Sequence, residues 1–202
     1  MKESYYNTLG SERTVEVLFI QEAISKYCKF GSSVLDIGGV PTSENQMIDV
    51  YIAIKNLHLD YKITDFRRSD YQGDFINIDF QDKKFDTCIF LSSLEHFPQC
   101  TESDLVFREG YDRKGYEKAL SVLNDSGYII LTVPFGKHIW QPYHQNYNWN
   151  GILNLTQGSK IIESYTYELI EDKWILTDPK SMEHILYTDR AYGVGCFILQ
   201  KI

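Results

Sequence analysis

The stretch Ser33-Val34-Leu35-Asp36-Ile37-Gly38-Gly39 constrains this chain most: a short apolar run that ends in an acid and two glycines. A buried strand that stops at a glycine turn ahead of a helix brings the backbone close to a ligand, with the helix N-terminus facing it. A helix is predicted from about Ser43, which completes such a corner. A dinucleotide fold would place G-x-G-x-x-G here to receive a pyrophosphate, and that spacing is absent. An acid before the glycines suits a ligand that carries an ammonium group rather than a second phosphate.

Around this corner the hydrophobic pattern alternates between helix and strand. Val15, Leu18, Phe19, Glu22, Ala23, Ser25 and Tyr27 give a mostly helical period over residues 11–28, with Ser11 or Thr14 as N-cap. Met47, Val50, Ile54 and Leu57 extend a second helix to about residue 59, and a strand follows at 61–65. Residues 74–78 read as a short strand or turn. Residues 85–91 and 128–133 are nearly continuous in apolar side chains, as buried parallel strands are. Between them a helix is predicted from about Gly115 through Ala119, Leu120, Val122 and Leu123, closed by Asn124-Asp125-Ser126-Gly127. In the last third, strands at 161–169, 173–177 and 193–201 flank only a short helix within 144–156. Residues 97–113 lack periodicity, and such loops are often functional or disordered.

These elements predict an α/β fold: a doubly wound, Rossmann-like, mainly parallel sheet of seven strands with an antiparallel edge and helices on both faces. Residues 1–202 form one domain, with an N-terminal helical lid over about 1–30 and the antiparallel strands over about 160–202. A net charge of -8 argues against a general nucleic-acid or anionic-membrane surface. Cys28, Cys88, Cys100 and Cys196 share no C-x-x-C spacing, so neither a metal knuckle nor a disulfide framework is expected. No apolar run approaches the ~20 residues of a membrane span, and a reducing cytoplasm is the expected setting.

Ligands of doubly wound sheets sit at the carboxyl ends of the strands. The residues that close the predicted strands are Asp36 to Gly39, Asp65-Phe66, Asp74-Phe75, Leu91-Ser92-Ser93 and Val133-Pro134-Phe135. Asp65, 29 positions after Asp36, is placed to accept both hydroxyls of a ribose. Asp74 is placed to accept from an exocyclic adenine amine, with Phe75 over the ring.

Taken in order, these motifs resemble the class I S-adenosylmethionine-dependent methyltransferases over about residues 11–135, more weakly to the end. Val34-Leu35-Asp36-Ile37-Gly38-Gly39 is similar to that family's first motif, Asp65 to its ribose acid and Gly73-Asp74-Phe75 to its adenine step. The segments Phe85 to His96 and Leu123 to Gly136 resemble its fourth-strand and following strand motifs. The family usually has D-x-G-x-G-x-G, whereas Val40, Pro41 and Thr42 follow Gly39 here. Ser92-Ser93-Leu94-Glu95-His96 together with Thr132-Val133-Pro134-Phe135-Gly136 resembles a branch associated with modification of bacterial surface polysaccharide or capsule.

The resemblance implies S-adenosyl-L-methionine as cofactor and S-adenosyl-L-homocysteine as product, bound by Asp36, Gly38, Gly39, Asp65, Phe66, Asp74, Phe75, Leu91, Ser92 and Ser93. The activity it implies is O-methylation of a small-molecule acceptor. His96 is then the expected general base, oriented by Glu95, since an alcohol gains from a base in reach. Lys137 and His138 are expected on the acceptor wall, with Arg13, Tyr6 and Tyr5 as a lid. No metal is expected. A catalytically inactive, cofactor-binding scaffold is the alternative, and an NAD-dependent oxidoreductase is disfavoured by the missing glycine spacing.

Overall fold

A computed structural model of the chain describes residues 11–39, 48–67, 69–101, 104–141, 144–187 and 191–202. The first elements are α1 (Arg13–Tyr27), β1 (Ser33–Ile37), α2 (Ile48–Asn56), β2 (Asp60–Asp65), β3 (Tyr71–Gln72) and β4 (Phe85–Leu91). Next come β5 (Gln99–Thr101), β6 (Asp104–Phe107), α3 (Tyr111–Val122), β7 (Leu123–Pro134), β8 (Ile139–Gln141) and β9 (His144–Asn146). The chain closes with α4 (Trp149–Leu155), β10 (Ser159–Ile170), β11 (Lys173–Leu176) and β12 (Gly193–Lys201). Among the described residues, 3₁₀ turns cover Phe75–Asn77, Leu94–His96 and Pro179–Met182.

Eight strands form one sheet in the order β11-β10-β12-β7-β4-β1-β2-β3. From β3 to β7 neighbours run parallel, and β12, β10 and β11 add an antiparallel edge. This is the doubly wound architecture read from the sequence, with one strand more than expected, because Tyr71 and Gln72 pair with the end of β2.

The period of two along each central strand builds two cores. Leu35, Ile37, Cys88, Phe90, Ile129, Leu131, Val133, Phe197 and Leu199 face the side covered by α3 and α4. Val34, Ile89, Ile130, Cys196 and Ile198 face α1 and α2. Thus α1 is a core helix through Val17, Ile20, Ala23 and Ile24, and only its first turn reaches the carboxyl ends of the strands. Among the described residues no helix is long and apolar enough to cross a membrane.

Several boundaries differ from the sequence reading for local physical reasons. α3 starts at Tyr111 rather than at Gly115, which lies inside the helix. A Cβ at position 115 would come 2.4 Å from the Phe97 ring, so the glycine admits a close contact there. β7 starts at Leu123: Phe85 pairs with Leu123 and Thr87 with Tyr128, so Asn124 to Gly127 bulge from the ladder without ending it. Ser126 takes a left-handed φ of 59° in that bulge. The aperiodic stretch 97–113 holds the β5–β6 hairpin. The expected helix within 144–156 is β9 followed by α4, whose N-cap Asn148 accepts from the Gly151 amide at 2.8 Å.

At the amino ends of the strands, Asp86 joins three of them. Its Oδ2 accepts from the Ser33 amide at 2.9 Å and the Ser33 hydroxyl at 3.0 Å, and its Oδ1 accepts from Asn124 Nδ2 at 2.8 Å. Burial opposes its charge, but these donors outweigh burial and hold the carboxyl below the usual range. Asp86→Ala should therefore cost about 1.5–3 kcal/mol at pH 7, measured by urea unfolding. Because the folded value is depressed, this contribution is present above the ordinary carboxylate range and is lost as the pH falls through the folded value. The gap between variant and wild type should close on acidification.

Candidate functional site

β1 and β4 end against each other at Gly38 and Ser93. Gly38 has φ 77°, its amide donates to the Thr64 carbonyl at 2.8 Å, and a Cβ there would lie 2.6 Å from Ser93 Cβ. The Ser93 hydroxyl donates to the Ile37 carbonyl at 2.6 Å. Gly39 lies over the Asp36 carboxylate, and its Cβ would fall 2.3 Å from Oδ2. Both glycines are thus required by close approach within the fold, to Ser93 and to Asp36.

Asp36 is buried under this turn. Tyr61 donates its hydroxyl to Oδ2, while Oδ1 has no hydrogen-bond partner among the described residues. Burial pushes the Asp36 carboxyl up to about 6, against the pull of Tyr61.

The neighbouring strand ends carry the next predicted residues. Asp65 closes β2 and accepts through Oδ1 from the Arg67 amide at 2.8 Å and Arg67 Nε at 3.0 Å. Phe66 beside it is 53% exposed, so its ring presents a free apolar face. Asp74 caps the 3₁₀ turn Phe75–Asn77, accepting from the Ile76 amide at 3.2 Å and from Asn77 Nδ2 at 2.8 Å. Phe75 departs from its expected place over a ligand ring. It is buried against Phe80, Phe90 and Phe97, where the aromatic core takes up its faces.

Beyond the end of β4 lies a pocket of about 360 Å³, including its open mouth. Glu12 and Arg13 from the start of α1 line it together with Ser92, Glu95, His96 and Tyr187, and Pro134 and Val194 close the back. Arg13 Nη1 pairs with Glu16 Oε2 at 2.7 Å, and Glu16 is fully buried. The Ser92 hydroxyl donates to the other Glu16 oxygen. Burial raises the Glu16 carboxyl while Arg13 and Ser92 lower it. Ser92 itself has φ 40°, and its amide donates to Thr132 Oγ1 at 3.0 Å. A left-handed serine at a strand end is backbone strain held by its surroundings.

Within the turn Leu94–His96 the two expected catalytic residues part company. Glu95 is 2% exposed, and its Oε2 has no partner among the described residues. Burial pushes its carboxyl up to about 7, with His96 pulling the other way. The His96 side chain is 56% exposed, and its Nε2 stands 3.8 Å from Glu95 Oε1. The inner, poised group is Glu95, and His96 sits at the rim.

Lys137 and His138 do not line this pocket. The Lys137 amide donates to the Ile185 carbonyl at 2.8 Å, and the His138 ring packs toward Tyr147 with centroids 6.3 Å apart. They are tied to α4 and to the turn before residue 187. Tyr5, Tyr6 and residues 40–47, where the second helix was expected to start, lie outside the described residues. Sequence reasoning missed Glu16 and Thr132, which fix the α1 end of the site, and Tyr61, which holds Asp36. Glu16 carried a signal: it is one helical turn before Ile20, so a charge stands on the apolar face of α1.

No known family matches the chain, and no curated protein sequence does. Solved structures do. An S-adenosylmethionine-dependent methyltransferase from Archaeoglobus fulgidus superposes with a TM-score of 0.60 at 15% identity, over 94% of this chain and 95% of that one. The fold is that of the class I methyltransferases. The N-methyltransferase NodS from Bradyrhizobium japonicum WM9 gives a TM-score of 0.58 at 10% identity, over 94% and 96%. A phosphoethanolamine N-methyltransferase 2 from Haemonchus contortus, in complex with phosphomonomethylethanolamine and S-adenosylhomocysteine, gives 0.57 at 12%, over 97% of this chain and 54% of its own. In this methyltransferase fold Asp36, Asp65 and Asp74 stand on successive strand ends.

The orphaned Glu95 has a measurable consequence. Its carboxyl takes up a proton on folding between the ordinary value of 4.5 and about 7, so below that window no charge is buried there. The cost grows as the pH rises and is complete above about 7, where it approaches about 3 kcal/mol. Relative to wild type, Glu95→Gln should gain up to that amount between pH 5 and pH 8 in urea unfolding. Equal pH dependence in the two proteins would show that the carboxyl is solvated.

Proposed function

We propose that this chain is an S-adenosylmethionine-dependent methyltransferase that acts on a small molecule whose reacting atom must shed a proton. The observation that carries the cofactor assignment is the buried Asp36 Oδ1, an acceptor without a donor among the described residues, under the Gly38-Gly39 turn. An ammonium group is the natural donor for it. The residues present therefore fit the group: Asp36 for its ammonium, Asp65 for its ribose, Phe66 and Asp74 for its adenine, and Leu91, Ser92 and Ser93 along its edge. When bound, S-adenosylmethionine supplies a methyl group on a positively charged sulfur.

The chain's own residues then orient and deprotonate. Glu95, with its carboxyl near 7, is suited to accept a proton at Oε2 from a hydroxyl or an amine. Arg13 is fixed by Glu16 and shapes the acceptor side of the pocket. The motif resemblance points to O-methylation of a bacterial surface-glycan or capsule precursor. Glu12, Glu16 and Glu95 gather around the single Arg13, which weighs against a phosphate-type acceptor oxygen. A cofactor-binding scaffold without activity is the second reading, favoured by Val40, Pro41 and Thr42 in place of further glycines.

Calorimetric titration with S-adenosylmethionine and S-adenosylhomocysteine should show saturable binding. Asp65→Ala should weaken it by about 1.5–3 kcal/mol, roughly 10- to 150-fold, without unfolding the chain. Absence of binding to both ligands would overturn the assignment. Binding without methyl release in the presence of acceptors would favour the scaffold.

A further inference from the structure

Resting on the reading above, we infer that the acceptor carries a protonated amino group and that this nitrogen, bound by Glu95, is the atom that receives the methyl group. The pocket calls for a hydrogen-bond donor. Glu95 Oε2 is an acceptor in the protein interior with a cavity beside it and no partner among the described residues. Such an atom is costly unless a ligand satisfies it. Gln145 Oε1, on the strand β9 that packs against the turn carrying Glu95, is a second buried acceptor without a partner among the described residues, outside the pocket lining. An ammonium group is all donors.

Charge points the same way. The guanidinium of Arg13 pairs with Glu16 at 2.7 Å and also acts on Glu12 and Glu95, so one cation stands against three carboxyls around the pocket. An anion would meet Glu12 and Glu95, and a neutral alcohol would leave their charge unanswered.

The chemistry balances on this assignment. The ammonium gives one proton to Glu95 Oε2 and becomes a neutral amine. Its nitrogen lone pair forms the new bond to the methyl carbon as the carbon–sulfur bond breaks, and that bond pair stays on sulfur. The positive charge ends on the methylated nitrogen, still facing Glu12. With an alcohol acceptor the positive charge would instead vanish from the pocket, because Glu95 would be neutralised and the product would be a neutral ether.

The test uses the full chain and three small probes: ethanolamine, ethylene glycol and inorganic phosphate, titrated at pH 8 by ligand-observed NMR with and without S-adenosylhomocysteine. Ethanolamine should bind at least about tenfold more tightly than ethylene glycol, a difference of about 1.4 kcal/mol, with phosphate weakest. Glu95→Gln should remove the preference while keeping the wild-type melting temperature or raising it, and Glu12→Gln, at the pocket wall, should reduce the preference in part. With isotopically labelled donor, mass spectrometry should place the methyl group on the nitrogen of ethanolamine. Equal affinities, no binding of ethanolamine, a preference untouched by Glu95→Gln, or label on oxygen would each overturn the inference. An amine preference without any binding of S-adenosylhomocysteine would sink the methyltransferase reading and leave the amine site standing.

Discussion

The meeting of β1 and β4 at Gly38 and Ser93 is the constraint on which the rest of the site depends. Two parallel neighbours end there with room for a hydrogen and no more, and the Ser93 hydroxyl closes the gap by capping the Ile37 carbonyl. Because β1 stops there, Asp36 is left under the turn. Because β4 stops there, Ser92 is forced into a left-handed conformation, and the chain must turn at once through Leu94–His96. One crossing thus places the Asp36 carboxyl on one side and the Glu95 carboxyl on the other.

Burial of three carboxyls, Glu16, Asp36 and Glu95, around one end of a sheet is unfavourable unless each finds compensation. Glu16 finds it within the fold, in Arg13 and Ser92. Asp36 is half compensated by Tyr61, and Glu95 scarcely, since His96 stands 3.8 Å away at the rim. The order of compensation separates the roles. A fully paired carboxyl holds α1 in place, while those left with an orphaned oxygen keep free energy available for binding donors. A ligand with the right donors would stabilise the folded chain by pairing those oxygens.

Much of this was legible in the sequence, for reasons that also explain what was not. The central strands announce themselves because both faces are buried, so 85–91 and 128–133 are nearly continuous in apolar residues. The acids at strand ends follow from the topology, since each strand that stops on the same side of the sheet brings its last residue to the same edge. What failed depends on contacts between distant segments. The fit of Phe97 against Gly115 lets a glycine sit inside α3, and the bulge at Asn124 to Gly127 survives through the bond to Asp86. Neither has a local signature. The division between Glu95 and His96 was hidden for a different reason: in a single 3₁₀ turn adjacent side chains point in different directions, and only the packing of the turn decides which one faces inward. Phe66 and Phe75 look alike in sequence and end oppositely, one exposed, the other buried in an aromatic cluster.

The placement of these groups separates two kinds of specificity. Asp36, Gly38, Gly39 and Asp65 belong to strand ends whose geometry is set by the sheet, so a change there disturbs the backbone that carries it. Glu12 and Arg13 stand on the first turn of a helix whose hold on the sheet comes from Ile20, Ala23 and Ile24 further along. A substitution at Glu12 changes the charge of the pocket wall without touching the glycine turn or Asp65. Identities of 10% and 15% with proteins of the same fold are consistent with this arrangement. The fold fixes a row of strand ends, and the pocket beside that row takes residues from α1 and from the segment that leads into β12. The charge on that pocket wall, from Glu12, Arg13 and Glu95, is accordingly set by residues outside the strands of the sheet.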